Sequence, residues 1–77
     1  MSNKRLIPIS TPYITLGQVL KLADFISNGG EAKFFLAEQT VFVNHEQDQR
    51  RGRKLYPGDV VEVKNIGQCE IIAKKDV

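Results

Sequence analysis

The sequence has one cysteine, Cys69, so no disulfide can form within the chain and a reducing compartment is the fitting environment. Tryptophan is absent and histidine occurs once, at His45. With no second histidine or cysteine at ligand spacing, no metal centre is expected. No stretch approaches the about 20 consecutive apolar residues of a membrane span, and no basic start leads into a long apolar run. Neither a span nor a signal peptide is therefore expected, and the reading is a cytoplasmic protein. No phosphate-binding loop or nucleophile-and-base pair is present either, so the expectation is a protein without catalysis, cofactor or small-molecule substrate. Charge of one sign is also lacking: 11 Lys and Arg face 9 Asp and Glu, a net of +2 that by itself selects no partner.

What is there fits one small domain. Of the 77 residues, 42% are hydrophobic, enough for one modest core, since a domain this small buries only about 60% of its unfolded surface. Residues 1–12, with Pro8 and Pro12 around Leu6, Ile7 and Ile9, read as an arm or edge strand whose first residues fray. Thr15 is placed to cap a helix. Behind it Leu16, Val19, Leu20, Ala23 and Ile26 recur at helical spacing, with Gln18, Lys21 and Asp24 off that stripe. Ser27 to Gly30 are expected to end this helix, because Asn and Gly accept left-handed backbone. A shorter helix from about Gly30 to Glu38 follows, with Ala32, Phe35 and Leu36 on one face, and the two form a corner.

After Gln39 the period changes to two. Val41 and Val43 read as a strand, and a polar loop runs from Asn44 to Leu55. Pro57-Gly58-Asp59 is a turn in which Asp59 accepts backbone N–H groups, and Tyr56 is expected to cover the end of the core. Val60, Val61 and Val63 make another strand. Asn65 to Gly67 turns the chain, and Ile71 and Ile72 suggest a last strand before a charged tail. The predicted fold class is α+β: two short N-terminal helices packed on a small, mostly antiparallel sheet.

Charge distribution says more than net charge. Arg50, Arg51, Arg53 and Lys54 put four of the eleven basic residues within five positions, and no acid interrupts them. Arginine's planar fork donates two hydrogen bonds to one phosphate, and basic side chains gain by releasing the counterions of a polyanion. On a polar loop Arg50, Arg51 and Arg53 are expected to reach outward, with Gly52 letting backbone approach closely. Replacing all four with alanine is then expected to leave folding intact.

The order of two short helices, Val41-Phe42-Val43-Asn44, a basic loop ending at Leu55, and Gly58-Asp59-Val60-Val61-Glu62-Val63 resembles the RNA-binding domain named after ribosomal protein S-four. Its shared core is called the αL motif. The resemblance covers about residues 15–63, leaving 64–77 as last strand and tail. Asn44-His45-Glu46, Arg50-Arg51-Gly52-Arg53-Lys54-Leu55, Gly29-Gly30 and Ala32-Lys33 are most similar to small stand-alone bacterial members. The resemblance implies an RNA-binding protein, and a monomer is expected. Its implied target is ribosomal RNA or a ribosomal particle, in ribosome assembly or translation. Many members carry an arginine where Thr15 stands, and a Ser-Arg or Thr-Arg pair where Asn28 and Gly29 stand.

Against that background, Gly29 and Gly30 are read as a bared helix tip whose N–H groups and dipole favour an anion, with Lys33 one turn in and reaching the same phosphate. The plainer alternative is a tight turn and a solvated lysine. Asn44 and His45 complete the candidate RNA-facing set; His45 has a ring to stack on a base, or it merely occupies the turn. Phe34 and Phe35 cannot point the same way, so one of them, like Phe42, is a candidate for stacking or for the core. Cys69, beside an apolar strand, reads as a partly buried packing residue. Two other functions fit parts of the pattern. In one, the basic loop meets an acidic protein partner. In the other, Val43-Asn44 and Gly58 to Val63 resemble ubiquitin-like sulfur carriers, which need a Gly-Gly terminus where this chain has Lys74-Lys75-Asp76-Val77.

Overall fold

A computed structural model describes residues 4–74; the expected fraying of the first residues and most of the charged tail lie outside them. The elements run β1 (Lys4–Ile9), β2 (Ile14–Thr15), α1 (Leu16–Leu22), a 3-10 turn (Gly29–Glu31), α2 (Ala32–Glu38), β3 (Val41–Val43), β4 (Glu46–Gln47), β5 (Lys54–Leu55), β6 (Val60–Val63) and β7 (Gly67–Ala73). A five-stranded sheet has the order β1-β7-β6-β3-β4, and β2 pairs with β5 in a separate antiparallel ribbon. The sheet is antiparallel except where β1 runs parallel to β7. The α+β class therefore holds. The helices are not the first elements, however: β1 and β2 precede them, with β1 at the sheet edge, the position that its proline, Pro8, allows.

Local chemistry sets each boundary. Thr15 caps α1 in a reciprocal box, its hydroxyl accepting from the Gln18 amide while Gln18 Oε1 accepts from the Thr15 amide at 3.0 Å. The helix stops earlier than its apolar stripe suggests, and the glycines are not what stops it. Asp24 takes φ 63°, its amide donates to the Lys21 carbonyl, and the Phe25 amide donates to the Leu20 carbonyl. That is a Schellman ending with aspartate in the left-handed position. From β1, Arg5 Nη1 donates to the Ala23 carbonyl at 2.7 Å, closing the same helix end. All five stripe residues are still buried, because Ala23 and Ile26 reach the core from the turn.

The core is one cluster. Leu16, Val19 and Leu20 of α1 and Ala32 and Leu36 of α2 lie over Val41, Val43, Val61, Val63, Cys69 and Ile71 of the sheet. Alternation along β3 and β6 points every second residue inward: Val41, Val43, Val61 and Val63. Cys69 is fully buried rather than partly, and burial pushes its thiol up to about 11. Asn44 and His45, at φ 51° and 71°, form the two-residue hairpin between β3 and β4, the paired left-handed conformation that tight hairpins need. The expected polar loop from Asn44 to Leu55 is thus interrupted by two short strands that have too few residues to show a period.

Candidate nucleic-acid interface

The segment between β4 and β5 carries Arg50, Arg51 and Arg53 and is stitched to the start of α1. The Leu16 amide donates to the Arg53 carbonyl and the Gly17 amide to the Arg51 carbonyl, both at 2.9 Å. The seam is closely packed: a Cβ at Gly17 would make ordinary van der Waals contact with the Arg51 carbonyl at 3.4 Å and with the Cβ atoms of Arg51 and Ala32 at 3.5 Å. The first amides of α1 are therefore already engaged, and any anion held nearby must be held by side chains.

The three arginines differ in their surroundings. Asp48, with a side chain only 6% exposed, accepts from the Arg50 amide at 2.9 Å, from Arg50 Nε at 3.1 Å and Nη2 at 2.9 Å, and from Arg53 Nη1 at 2.8 Å. The Arg50 fork above all, then Arg53, holds the Asp48 carboxyl well below the usual carboxylate range despite its burial, and the carboxylate in turn raises Arg50. The expectation that the three arginines reach outward is corrected for Arg53. Arg53 is 25% exposed and turned inward. Arg50 is 74% exposed but anchored, with three of its five N–H donors still unclaimed by Asp48. Arg50 and Arg53 thus also hold the loop together. Asp48, two residues before Arg50 in the sequence, was the missed member of the cluster.

Two concavities flank this loop, and their charges differ. The larger, about 730 Å³, is lined by Glu46, Asp48, Arg50 and Arg53, two acids against two bases. The smaller, about 390 Å³, brings Arg51 together with Lys21, Gly17 and Gly29 and has no acid in its lining. A phosphate gains in the second and roughly breaks even in the first. The basic loop and the glycine turn do meet here, joined by Lys21, which the sequence marks only by its position off the apolar stripe.

The other candidates lie as follows. Gly29 opens the 3-10 turn, and a side chain there would meet no atom within 4 Å. The Glu31 carboxylate accepts from the Ser27 and Asn28 amides at 3.0 and 3.1 Å, so an acid of the chain itself sits at this tip beside Gly29 and Gly30. Lys33 is exposed on α2. Asn44 is engaged structurally: its Nδ2 donates to Asp59 Oδ1 at 3.0 Å and its Oδ1 accepts from the Val60 amide at 2.9 Å. Asp59 accepts from the Tyr56 amide, as its place in the turn predicts. His45 is exposed at the hairpin tip. Lys54 lies 4.9 Å from the Tyr13 ring centroid. Tyr56 does not cover the core; half of it is exposed, and its ring lies against Tyr13. Phe34 is the outward member of its pair, and Phe35 turns in against Phe25.

Two short helices in contact, a hairpin and a basic loop seated on the first helix are the parts that the sequence motifs resemble. The chain belongs to the S4 domain family, whose model matches residues 7–72. At the level of individual proteins, it is 59% identical over 66 residues to a Bacillus subtilis (strain 168) protein named "Probable ribosome maturation protein RlbA", a match that covers 86% of this chain and 93% of that protein.

Proposed function

We propose that this chain is a non-catalytic RNA-binding protein that grips structured ribosomal RNA through its phosphates during ribosome assembly. The observation that carries the reading is the acid-free concavity where Arg51 and Lys21 converge beside Gly29. Family membership and the name of the relative support RNA and the ribosome as the setting. In this reading Arg51 and Lys21 hold phosphate directly, and Arg50 presents its unclaimed donors from a fixed position. Lys33 and Lys54 extend the track on either side. Arg53 acts mainly by holding Asp48, and Asn44 by fixing the hairpin.

The test is a salt titration of binding to purified ribosomal RNA. Five phosphate contacts, one for each of these cations, give a slope of log affinity against log salt of about −3.5, from about 0.7 per contact on single strands. Arg51→Ala and Lys21→Ala should each weaken binding and flatten the slope by about 0.7. Polyglutamate should not compete at matched charge. A flat salt response, or tighter binding to polyglutamate than to RNA, overturns the reading in favour of an acidic protein partner.

A further inference from the structure

Beyond the phosphate track, we infer that the outer face of the β2–β5 ribbon is a stacking site for an unpaired nucleobase, with Tyr13 and Tyr56 as the platform. The inference rests on the RNA-binding reading above and adds to it a class of RNA: one that exposes a single-stranded base beside the gripped phosphates.

The ribbon's register places the two rings together. Ile14 pairs with Leu55 and Thr15 with Lys54, and Ile14 and Leu55 are buried. Alternation then turns Thr15 and Lys54 outward, and extending the register by one residue sets Tyr13 opposite Tyr56 on that same outer face. Their ring centroids are 6.1 Å apart and the planes are inclined at 51°, so the rings do not cover one another. Tyr13 is 41% exposed and Tyr56 50%. Both backbones are held in place: Thr11 Oγ1 donates to the Tyr13 carbonyl at 2.8 Å, and the Tyr56 amide donates to Asp59 Oδ2 at 2.8 Å.

The chemistry of the spot selects a base over other apolar groups. The Lys54 ammonium lies over the Tyr13 ring, 4.9 Å from its centroid, so a base takes the open face of Tyr56, or that of Tyr13 once the ammonium moves aside, and has a cation next to it. A nucleotide satisfies both, with its base on the phenol and its phosphate on the ammonium. The site is also continuous with the phosphate track, because Lys54 follows directly on the Arg51–Arg53 loop. The other exposed aromatic, Phe34, shares its concavity with Glu31 and Glu38, whose charges repel a nucleotide.

The chain has two tyrosines and no tryptophan, so tyrosine ring resonances report on this site alone. The full chain, with labelled tyrosine rings, is titrated with a ten-nucleotide adenylate RNA and with a ribose-phosphate strand of the same length that lacks bases. Upfield shifts of the ring protons are expected with the first strand and not with the second. The double variant Tyr13→Leu, Tyr56→Leu should lose about tenfold in affinity for the adenylate strand and keep its affinity for the base-free strand, with an unchanged salt slope. Tyr13→Phe with Tyr56→Phe keeps the platform and should bind as the parent does, which separates stacking from a folding defect. Unmoved ring signals overturn the inference, and so does an equal loss on both strands. If the parent binds both strands with the expected salt slope while the rings stay silent, only the stacking site falls. If it binds neither, the RNA-binding reading falls with it.

Discussion

Replacing Asp48 with alanine separates two ways of thinking about a basic loop. Counting charge alone, loss of a carboxylate beside Arg50 and Arg53 leaves a more positive surface and tighter RNA binding. In the geometry described here, the same change releases the loop. Two of the four hydrogen bonds to Asp48 come from the Arg50 guanidinium, which is mostly in water, so screening makes them minor. The other two come from the Arg50 amide and from the largely covered Arg53. Their loss costs about 2 kcal/mol, at about 1 kcal/mol net per bond. For a domain of this size that lowers Tm by about 10 °C. The assay is urea unfolding of the parent and Asp48→Ala at several pH values, with RNA affinity measured alongside. Because the folded-state pKa of Asp48 is depressed below its ordinary value of 3.8, its stabilisation is complete above that pH and is lost as pH falls through the lower folded value. The stability gap should therefore be full at pH 7 and narrow below about pH 4. Tighter RNA binding by the variant, or a gap that stays constant into strong acid, refutes the argument.

Cys69 should resist thiol reagents in the native protein, since its pKa is pushed up to about 11 and the thiol is buried; Ellman's reagent should react with it only as fast as the chain opens. The unfolded thiol ionises near 9.0, so the native state binds the extra proton and stability should fall as pH rises between about 9 and about 11, read from denaturation midpoints. Asn44→Ala removes two side-chain bonds and leaves alanine at φ 51°, which should lower stability by about 1–2 kcal/mol in urea unfolding while leaving the RNA affinity of the folded protein unchanged.

The parts of this molecule that repeat with a period were legible before any coordinates. Leu16, Val19 and Leu20 announce one helix face, and Val41, Val43, Val61 and Val63 announce the inward side of a sheet. Capping by Thr15 was legible because a hydroxyl stood before the stripe. The end of α1 was not: an aspartate in left-handed backbone looks, in sequence, like one more polar position of a continuing helix. The basic cluster was legible as a patch of charge but not as a set of side chains with different tasks, because Asp48 lies outside the run and its burial depends on how the loop folds back. Lys21 and Arg51 are remote in sequence, and only the docking of the loop on α1 brings them to one concavity. The tyrosine pair was equally hidden, since it depends on the register of two strands only two residues long.

The two carbonyls that Arg51 and Arg53 lend to Leu16 and Gly17 make the basic loop part of the helix it touches. Surface connections of this kind ordinarily tolerate added residues. Lengthening this one would draw its carbonyls off their amides and unseat the opening turn of α1, so its length is constrained by the scaffold as well as by any ligand.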